Sequence, residues 1–524
     1  MPISSPPADA PLAAIDIGSN SFRLEVGQML GGHYRRIDYL KETVRLGAGL
    51  DGHGLLTDEA SERGLACLLR FAQRLQGLPA AQVRAVATQT LREARNRDDF
   101  LLRAQAALGQ PIEVISGREE ARLIYAGVAH LQPSPVPRLV IDIGGRSTEM
   151  ILGRGLQPLQ AESFAVGSVS LSLQHFPDGR LTATAFRAAQ VAAGAELEEA
   201  LEPFAPQHWR EALGASGTVG AVSQLLASSG VDGGVITPDG LRWLIERCLH
   251  AGHIDRLELP GLKEDRRPVI AGGVALLYTL TTQFGILALK PTRGALRQGV
   301  IIDLHERLGA LRTPQRAARG RSAGGDMRES SVRELQRRFK VDTAQARRVR
   351  VVALALYGAV SHPDATMTTV VGEGNRELGW ACDLHEMGMM VSHHDHHRHS
   401  AYLLGNVDAA GFSQSQQRLL ASLVLGQRGG LRKIDTALSQ HEFALQVLAL
   451  RLAVIECHAR GAVVSGALQL ERSARGARLH FAPGWAASHP RTMYLLLQEV
   501  QAWARIGNFD LALDLPSADE PAAT

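Results

Sequence analysis

The pattern of apolar and polar positions at the start of the chain alternates between short apolar runs and a longer amphipathic stretch. Short apolar runs bounded by polar turns predict five strands, at Ala13–Ile17, Phe22–Gln28, Tyr34–Leu40, Val83–Ala87 and Ile112–Ile115. The stretch Glu59–Leu75 repeats its apolar residues at helical spacing and predicts a helix. This alternation of strands and helices indicates a layered α/β domain over residues 12–135.

The same order of apolar strand, polar turn and apolar strand returns after a proline-rich segment at 133–137. Val140–Ile143 and Thr148–Leu152 predict a hairpin, as the first two strands of the chain do. We therefore interpret residues 136–310 as a second α/β domain and the two domains as an internal duplication. The predicted fold class is α/β.

Helical periodicity dominates the rest of the chain. We predict a linker at 311–330, a helical domain at 331–460 that includes a helix pair within Val332–Val352, a small α+β cap domain at 461–515, and disorder from Pro516 onward. Between residues 312 and 350 the sequence has twelve Lys and Arg against four Asp and Glu. This excess indicates either a polyanion-binding stretch or a solvated helix face.

Composition and charge exclude several classes of protein. The 524 residues carry a net charge of only +3, so we predict no nucleic-acid partner. Four cysteines without a Cys-x-x-Cys spacing argue against a zinc ribbon or a dithiol redox site. The first residues lack a signal-peptide pattern, and no apolar run is long enough to span a bilayer. We predict a cytoplasmic protein with no integral membrane contact.

Two glycine-rich turns carry the strongest chemical signal. Asp16 and Asp142 each end a predicted strand, and glycines and hydroxyl residues follow each aspartate. Glycine lets backbone N–H groups approach an anion closely, and hydroxyls add further donors. We predict two facing phosphate loops, formed by Gly18, Ser19, Asn20 and Ser21 and by Gly144, Gly145, Arg146, Ser147 and Thr148. The two aspartates, assisted by Glu149, are candidate ligands of Mg²⁺; alternatively, they only cap turns.

Four further candidates lie beside these loops or at later turns. Arg23 either adds charge to the first loop or forms a surface salt bridge. Arg92, which follows a predicted strand, either binds phosphate bidentately or lies on the surface. Gly217 and Thr218 precede a predicted helix and offer an anion-binding helix N-terminus.

Two helix starts add a candidate base and a glycine pair. Ser116 and Glu119 have the spacing of a capping box, which gives Glu119 a structural role. Glu120 has no such role; it either lies exposed on the helix or projects into a cleft, where it can take a proton from water attacking phosphorus. The pair Gly272-Gly273, after a short strand expected at Val269–Ile270, indicates either a nucleoside contact or close helix packing.

Several motifs in combination and in order resemble the exopolyphosphatase/guanosine pentaphosphate phosphohydrolase (Ppx/GppA) family. They are the two loops and the segments Ser116–Arg122, Gly214–Thr218 and Gly294–Gly299. The resemblance covers residues 12–308 strongly and 331–512 more weakly. It implies two actin-like (ribonuclease H-like) domains followed by an α-helical HD-like domain and an α+β C-terminal cap.

The resemblance also implies an activity, the Mg²⁺-dependent hydrolysis of a terminal phosphoanhydride. It assigns catalysis to Glu120, phosphate binding to Arg92 and the two loops, and the metal to Asp142 and Glu149. The enzyme looks most like a long exopolyphosphatase acting on inorganic polyphosphate, and it is expected to be a homodimer with K⁺ as an optional second cation. The alternatives are conversion of pppGpp to ppGpp and, in another class, a non-catalytic sensor of polyphosphate or alarmone. A kinase is disfavoured because Glu120 would waste ATP.

Three departures from the family pattern stand out. Arg146 replaces a third loop glycine, and Gln298 replaces a glutamate. If the loop required positive φ at residue 146, an arginine there would be strained; alternatively, it adds a cation for a long polyanion. In the histidine-rich stretch from His385 to His399, the pair His394-Asp395 indicates either a metal site or a cluster facing phosphate or a dimer partner.

Overall fold

The computed structural model describes residues 7, 9–312, 326–361, 372–464, 466–473, 475–507 and 509–514. The chain forms two compact units, Met1–Asp326 and Met327–Thr524. One boundary therefore falls within the predicted linker, whereas the predicted boundaries at 135/136 and 460/461 stay predictions. The segment from Pro516 onward, for which we predict disorder, and residues 313–325 of the linker lie outside the described residues.

The first unit begins with a five-stranded sheet in the order β3-β2-β1-β4-β5. Its strands are β1 Leu12–Ile17, β2 Phe22–Leu30, β3 His33–Glu42, β4 Val83–Ala87 and β5 Ile112–Val114. All five predicted strands are confirmed. Strand β1 is buried along its whole length and runs antiparallel to β2 and parallel to β4. This central position carries Asp16 to the carboxyl edge of the sheet.

A second sheet repeats the arrangement in the order β10-β9-β6-β7-β8. Its strands are β6 Arg138–Ile143, β7 Thr148–Arg154, β8 Gln157–Phe164, β9 Glu211–Ala215 and β10 Leu289–Pro291. Strand β6 is antiparallel to β7 and parallel to β9, as β1 is to β2 and β4. The predicted hairpin is confirmed, and the shared topology agrees with the predicted duplication. Each central strand thus carries an aspartate one residue before its end.

Helices flank the two sheets. They are α1 Asp58–Arg74, α2 Gln89–Glu93, α3 Arg97–Leu108, α4 Gly117–Leu131, α5 Ser168–His175, α6 Ala183–Leu197, α7 Gly217–Ser228, α8 Pro238–Ala251, α9 Ile270–Gln283 and α10 Leu296–Arg312. The predicted helix at 59–75 is confirmed as α1. We call β1–β5 with α1–α3 the first lobe, and β6–β10 with α5–α9 the second lobe.

Helices α4 and α10 pack together in a buried apolar cluster that takes residues from both sheets. Tyr125 and Ile301 lie in this cluster with Ala14 of β1 and Val140 of β6. At the crossing, a Cβ on Gly299 would lie 1.7 Å from the carbonyl oxygen of Leu123, so only glycine fits there. The first turn of α4, which carries Glu120, is therefore held against a rigid joint between the lobes.

The second unit is mainly helical and contains a three-stranded sheet in the order β11-β12-β13. Its elements are α11 Met327–Arg338, α12 Thr343–Ser361, α13 Glu373–Leu384, α14 His396–Asn406, α15 Gln414–Gly426, α16 Asp435–Leu438, α17 His441–Glu456, β11 Leu468–Ser473, β12 Gly476–Phe481, α18 Trp485–Ser488, α19 Pro490–Ala504 and β13 Asp510–Leu513. The predicted helix pair is confirmed as α11 and α12. Leu448 of α17, Leu479 of β12 and Trp503 of α19 share one core.

Two sequence expectations meet different outcomes. The short strand expected at Val269–Ile270 is wrong, because a 3₁₀ turn at Arg267–Val269 runs directly into α9. The chain therefore enters α9 without a strand. Among the described residues, no helix is both long and apolar enough to cross a membrane.

Candidate active site

Asp16 and Asp142 face a cleft between the lobes with a volume of about 490 Å³. The predicted site residues that line it are Asp16, Gly18, Ser19, Asn20, Ser21, Arg23, Glu120, Asp142, Gly144, Gly145, Ser147, Gly217 and Thr218. Arg92, Arg146, Thr148 and Glu149 do not belong to this lining. The structure thus brings most of the predicted site together and gives these four side chains other surroundings.

The first loop presents two buried donors without a protein partner. Asn20 Nδ2 and Ser21 Oγ are buried, and neither makes a hydrogen bond to any described residue. The hydroxyl of Ser19, by contrast, accepts a hydrogen bond of 2.8 Å from Thr90 Oγ1. Because buried polar groups in proteins are nearly always hydrogen-bonded, the two unpaired donors mark a place for acceptor atoms of a ligand.

Two side chains of the second loop, those of Arg146 and Thr148, have protein partners. Thr148 Oγ1 donates to the carbonyl oxygen of Val166 at 2.6 Å, and Arg146 Nε and Nη2 lie 2.9 and 2.7 Å from a carboxylate oxygen of Glu93. A Cβ on Gly145 would lie 3.1 Å from the Cβ of Ser19, so the two loops meet face to face. The contacts of Thr148 and Arg146 depart from the phosphate-binding roles that we predict for them.

Both departures from the family motifs in this unit fit the structure without strain. Arg146 is not among the described non-glycine residues with positive φ, so the expected penalty for replacing glycine does not arise. Gln298 donates from Nε2 to Glu25 at 2.6 Å and accepts at Oε1 from the Ala295 N–H at 2.9 Å. A glutamate at 298 would place a second carboxylate against the buried Glu25.

Glu120 is 7 % exposed and lines the cleft from the first turn of α4. The alternative of an exposed helical residue is therefore wrong. Arg92 Nη1 donates to Glu120 at 2.8 Å and to the Ile115 carbonyl oxygen at 3.0 Å. Burial raises the pKa of Glu120, Arg92 offsets part of this rise, and the charge of Asp16 adds to it. Arg92 thus holds and partly neutralises Glu120.

The two strand-end aspartates have different electrostatic surroundings. Asp16 lies 3.3 Å from Arg23 and 3.4 Å from Arg297, in two ion pairs. Asp142 has no ion pair or hydrogen bond with any described residue, and burial, together with the charges of Glu120 and Asp16, raises its pKa to about 7. The alternative that both aspartates only cap turns does not account for an unpaired, partly buried carboxyl group.

Glu149 lies behind Asp142 on the neighbouring strand and accepts a hydrogen bond of 2.8 Å from Ser163. Burial and the charges of Glu120 and Asp142 raise its pKa well above the usual range. No described group of three or more His, Cys, Asp or Glu residues has the geometry of a metal site. Mg²⁺ commonly takes only one or two carboxylates and completes its shell with water and phosphate, so an unpaired Asp142 backed by Glu149 fits it.

Sequence reasoning missed a rim of basic side chains around the cleft. The further basic residues in the lining are Arg36, Lys41, Lys263, Arg266, Arg293 and Arg297. With Arg23 they make seven basic residues, against the three acidic residues Asp16, Glu120 and Asp142. They lie on strand β3, in loops and at the start of α10, so no local sequence motif identifies them. Their convergence makes the cleft suited to a polyanion.

The turn before α7 is strained at Ser216, which has φ of 104° and ψ of 168°. Its side chain accepts from the backbone N–H groups of Thr218 and Val219, and so caps the helix. The pair Gly272-Gly273 does not line the cleft, and a Cβ on Gly272 would lie 2.5 Å from Ser172 Oγ. This contact supports the close-packing interpretation of the glycine pair.

Glu119 has a larger structural role than the capping box suggests. Its N–H donates to Ser116 Oγ at 3.2 Å, as the box predicts. Its carboxylate forms a buried bidentate pair with Arg122 at 2.7 and 2.8 Å, and Arg122 also reaches Asp303 of α10 at 2.6 Å. This network ties the start of α4, and hence Glu120, to α10.

The histidine-rich stretch in the second unit does not form a metal site among the described residues. His394 is almost fully exposed, whereas His396 and His397 are buried and their Nδ1 atoms lack hydrogen-bond partners. Burial lowers the pKa of both buried rings to about 4. The pair His394-Asp395 therefore does not reproduce a metal-binding set.

Comparison with known proteins shows that the chain belongs to a phosphatase family. A sequence profile of the Ppx/GppA phosphatase family matches residues 26–308, and a profile of Ppx/GppA phosphatase domain III matches residues 327–500. The chain belongs to the Ppx/GppA phosphatase family, which confirms the resemblance found in the sequence. Members of this family hydrolyse phosphoanhydrides of polyphosphate or pppGpp and generally use a divalent metal.

Two similar solved structures, with TM-scores of 0.52 and 0.50, support the α/β fold, and a third is similar at a lower score. An exopolyphosphatase-like protein is 25% identical over 57% of this chain and 98% of that chain, with a TM-score of 0.52. An exopolyphosphatase from Cytophaga hutchinsonii is 22% identical over 57% of this chain and 99% of its own, with a TM-score of 0.50. The PPX-GPPA enzyme of Aquifex aeolicus is 24% identical over 56% of this chain and 98% of its own, with a TM-score of 0.47.

Proposed function

We propose that this protein is an exopolyphosphatase that releases terminal orthophosphate from inorganic polyphosphate, with Glu120 as the general base. The observation that carries the proposal is the buried Glu120–Arg92 pair, which lies beside the same cleft as the unpaired donors Asn20 and Ser21. A carboxylate held beside an anion-binding loop is suited to activate water against phosphorus rather than to bind ATP productively.

In the proposed mechanism, the first loop and the backbone of the second loop hold the terminal phosphoryl group between the lobes. Glu120 takes a proton from water as the water oxygen bonds to the terminal phosphorus. The bond from that phosphorus to the bridging oxygen breaks, and the shortened chain keeps the bridging oxygen. Asp142 and Glu149 would hold Mg²⁺, which when bound neutralises charge on the phosphates. Arg92 keeps Glu120 oriented and favours its ionised, proton-accepting form.

The basic rim favours a substrate with many phosphates. Seven basic residues in the lining match the charge of a polyphosphate chain better than that of one small phosphate ester. One observation favours pppGpp as a second candidate: the ring of Tyr39 lines the cleft and is partly exposed. The guanidinium groups of Arg297 and Arg36 lie 5.3 and 5.6 Å from its centre, and the ring offers an aromatic contact to a base. The homodimer, K⁺ as an optional second cation, the cytoplasmic location, the actin-like class of the lobes and the HD-like class of the helical domain stay predictions.

The test is phosphate release from long-chain polyphosphate and from pppGpp with Mg²⁺, for the wild type and Glu120→Gln. We expect the wild type to release phosphate from polyphosphate, and the rate of release to fall by roughly 10²- to 10⁴-fold in Glu120→Gln. The variant should still bind polyphosphate. The control is Glu162→Gln, which changes an exposed ion pair with Arg118 and should leave the rate within about twofold.

Three results would redirect the assignment. Faster turnover of pppGpp than of polyphosphate would make the protein an alarmone hydrolase. Binding of both substrates without release would indicate a sensor. Full activity in Glu120→Gln would refute the role of Glu120 as the base.

A further inference from the structure

Arg146 joins the second loop to the first lobe through the carboxylate of Glu93. The Nε and Nη2 atoms of Arg146 lie 2.9 and 2.7 Å from Glu93 Oε2, and Nη1 lies 3.3 Å from the Gly47 carbonyl oxygen. Side-chain exposures of 21 % and 29 % leave the pair partly shielded from water. The pair thus forms where the two lobes meet, beside the cleft rather than in it.

From Glu93 the hydrogen bonds continue to the proposed base. Gln89 Nε2 donates to Glu93 Oε1 at 2.6 Å. Gln89 Oε1 in turn accepts from Arg92 Nε and Nη2 at 2.9 and 2.6 Å. Arg92 Nη1 then donates to Glu120 at 2.8 Å. An unbroken series of side-chain contacts therefore runs from the second phosphate loop through α2 to Glu120.

The donor and acceptor properties of these groups fix the direction of each hydrogen bond in the series. An amide has one acceptor end and one donor end, and a guanidinium can only donate. While Glu93 accepts from the NH₂ end of Gln89, the oxygen of Gln89 must face Arg92. If the amide turned over, its NH₂ group would face the guanidinium, and Arg92 would lose the acceptor of its Nε and Nη2 atoms while Nη1 kept the Ile115 carbonyl oxygen and Glu120. The carboxylate of Glu93 is itself fixed by Arg146.

We propose that Arg146 is a positioning residue for the hydrolysis, acting through Glu93, Gln89 and Arg92 to orient Glu120 only when the two phosphate loops are together. The inference rests on the proposed function. It gives a role to the arginine that stands where the family motif has glycine. On this proposal, Glu120 is aligned by the same contacts that bring the two phosphate loops together.

The decisive experiment compares Arg146→Gly with the charge reversal Arg146→Glu/Glu93→Arg. We expect Arg146→Gly to lower kcat on the order of tenfold with KM changed less than twofold, because misaligned catalytic groups cost rate rather than binding. The reversal restores an ion pair between the lobes, but a guanidinium at position 93 can only donate, so it turns Gln89 away from Arg92. We therefore expect the reversal to recover thermal stability while kcat stays low.

A matched control and a conservative variant complete the kinetic test. Glu162→Gln alters another bidentate pair, at 2.9 and 2.9 Å between Arg118 and Glu162, and should leave kcat unchanged. Arg146→Lys keeps one donor to Glu93 and should recover part of the rate. Recovery of kcat together with stability in the reversal variant would show that Arg146 only clamps the lobes, and would overturn the inference.

Hydrogen–deuterium exchange tests the same series without relying on activity. In Arg146→Gly we expect faster exchange in peptides covering 89–93 and 116–124, as well as at the loop itself. Faster exchange confined to 144–148 would overturn the inference whether or not the wild type is active. Absence of phosphate release by the wild type from either substrate would instead refute the proposed function, so the two failures are distinct.

Discussion

The two phosphate loops share one sequence pattern and one position in duplicated sheets, yet they use their side chains in different ways. The first loop leaves Asn20 Nδ2 and Ser21 Oγ buried and unpaired among the described residues. The second loop engages Arg146 with Glu93 and Thr148 with Val166. The first loop can therefore contribute the side-chain donors of Asn20 and Ser21 to a ligand, whereas in the second loop Arg146 and Thr148 are engaged and Ser147 is the side chain that lines the cleft.

The strand-end aspartates differ in the same way. Asp16 is neutralised by Arg23 and Arg297, both within 3.4 Å, whereas Asp142 has a pKa raised to about 7 and no ion pair with any described residue. A duplicated fold can thus give its two halves separate roles. Asp16 pairs with cations that the protein supplies, whereas Asp142, the proposed metal ligand, has no such partner among the described residues.

The largest effect that we expect from this difference between the two aspartates is a change in stability in Asp142→Asn. The folded-state pKa of Asp142, about 7, lies above its ordinary value of 3.8. The folded protein therefore holds the extra proton between these values, and wild-type stability falls as pH rises through that window. Above pH 7 the variant should be more stable by about 4 kcal/mol, and this gain should vanish near pH 4. Urea unfolding at pH 4, 6 and 8 measures it.

Asp16→Asn is the matched control and should act in the opposite direction. Removing this carboxylate takes from Arg23 its ion pair with Asp16 and leaves Arg297 paired with Glu25, which should cost about 1–3 kcal/mol. Mg²⁺ should raise the unfolding midpoint of the wild type at pH 8 and leave that of Asp142→Asn unchanged. A gain in stability for both asparagine variants would contradict the division of roles.

Substitution of the first-loop donors is the next largest effect. Ser21→Ala and Asn20→Ala each remove a donor that has no partner among the described residues. Each should lower kcat/KM for polyphosphate roughly ten- to hundredfold, since a hydrogen bond to a charged phosphate contributes about 1.5–3 kcal/mol. Because no protein bond is lost, the unfolding midpoint should stay the same or rise. A fall in stability without loss of activity would mean that these donors serve the fold.

Thr148→Val should show the reverse pattern. The substitution keeps the shape of a fully buried side chain and removes its 2.6 Å bond to the Val166 carbonyl oxygen. We expect a loss of about 1–2 kcal/mol in unfolding free energy and a change in kcat/KM of less than about threefold. A tenfold kinetic loss at unchanged stability would return Thr148 to the phosphate-binding role that the sequence predicts.

The features that could be predicted from the sequence are those that local residue patterns determine. The five strands of the first sheet and the hairpin of the second depend on short-range periodicity or turn chemistry. The residues alone left Glu120 either exposed or in the cleft, and only the family resemblance favoured the cleft. The committed side chains of the second loop were not predictable. Arg146 and Glu93 are 53 residues apart, and Arg297 reaches Asp16 across 281 residues. Packing decides such pairs, and a single sequence holds no signal of it.

The contact of Thr148 with Val166, which the sequence prediction missed, did have a local signal. Successive side chains of a strand point to opposite faces, so Thr148 and Glu149 at the start of β7 cannot both face the cleft. The basic rim had no such signal, because its members come from several elements that are far apart in the sequence. Gln298 was visible as a departure, but its partner Glu25 lies 273 residues away.

The smallest expected effect concerns Ser216, which extends the comparison to a third turn facing the cleft. Its φ of 104° and ψ of 168° lie in a region that only glycine occupies readily, at a cost of about 1–3 kcal/mol. Its hydroxyl offsets part of this cost by accepting from the N–H groups of Thr218 and Val219. Ser216→Gly removes the strain and loses only a few tenths of a kcal/mol of capping, so it should stabilise the protein by about 1 kcal/mol.

Ser216→Ala separates the two contributions, because it keeps the strained backbone and loses the cap. We expect it to destabilise the protein by about 1 kcal/mol, so glycine and alanine should move the urea midpoint in opposite directions. If both variants destabilised the protein equally, the cap would outweigh the strain. Changes of opposite sign would show that the second lobe holds a strained residue at the cleft. A glycine at this position would make the folded protein more stable, whereas the serine side chain caps the amides at the start of α7.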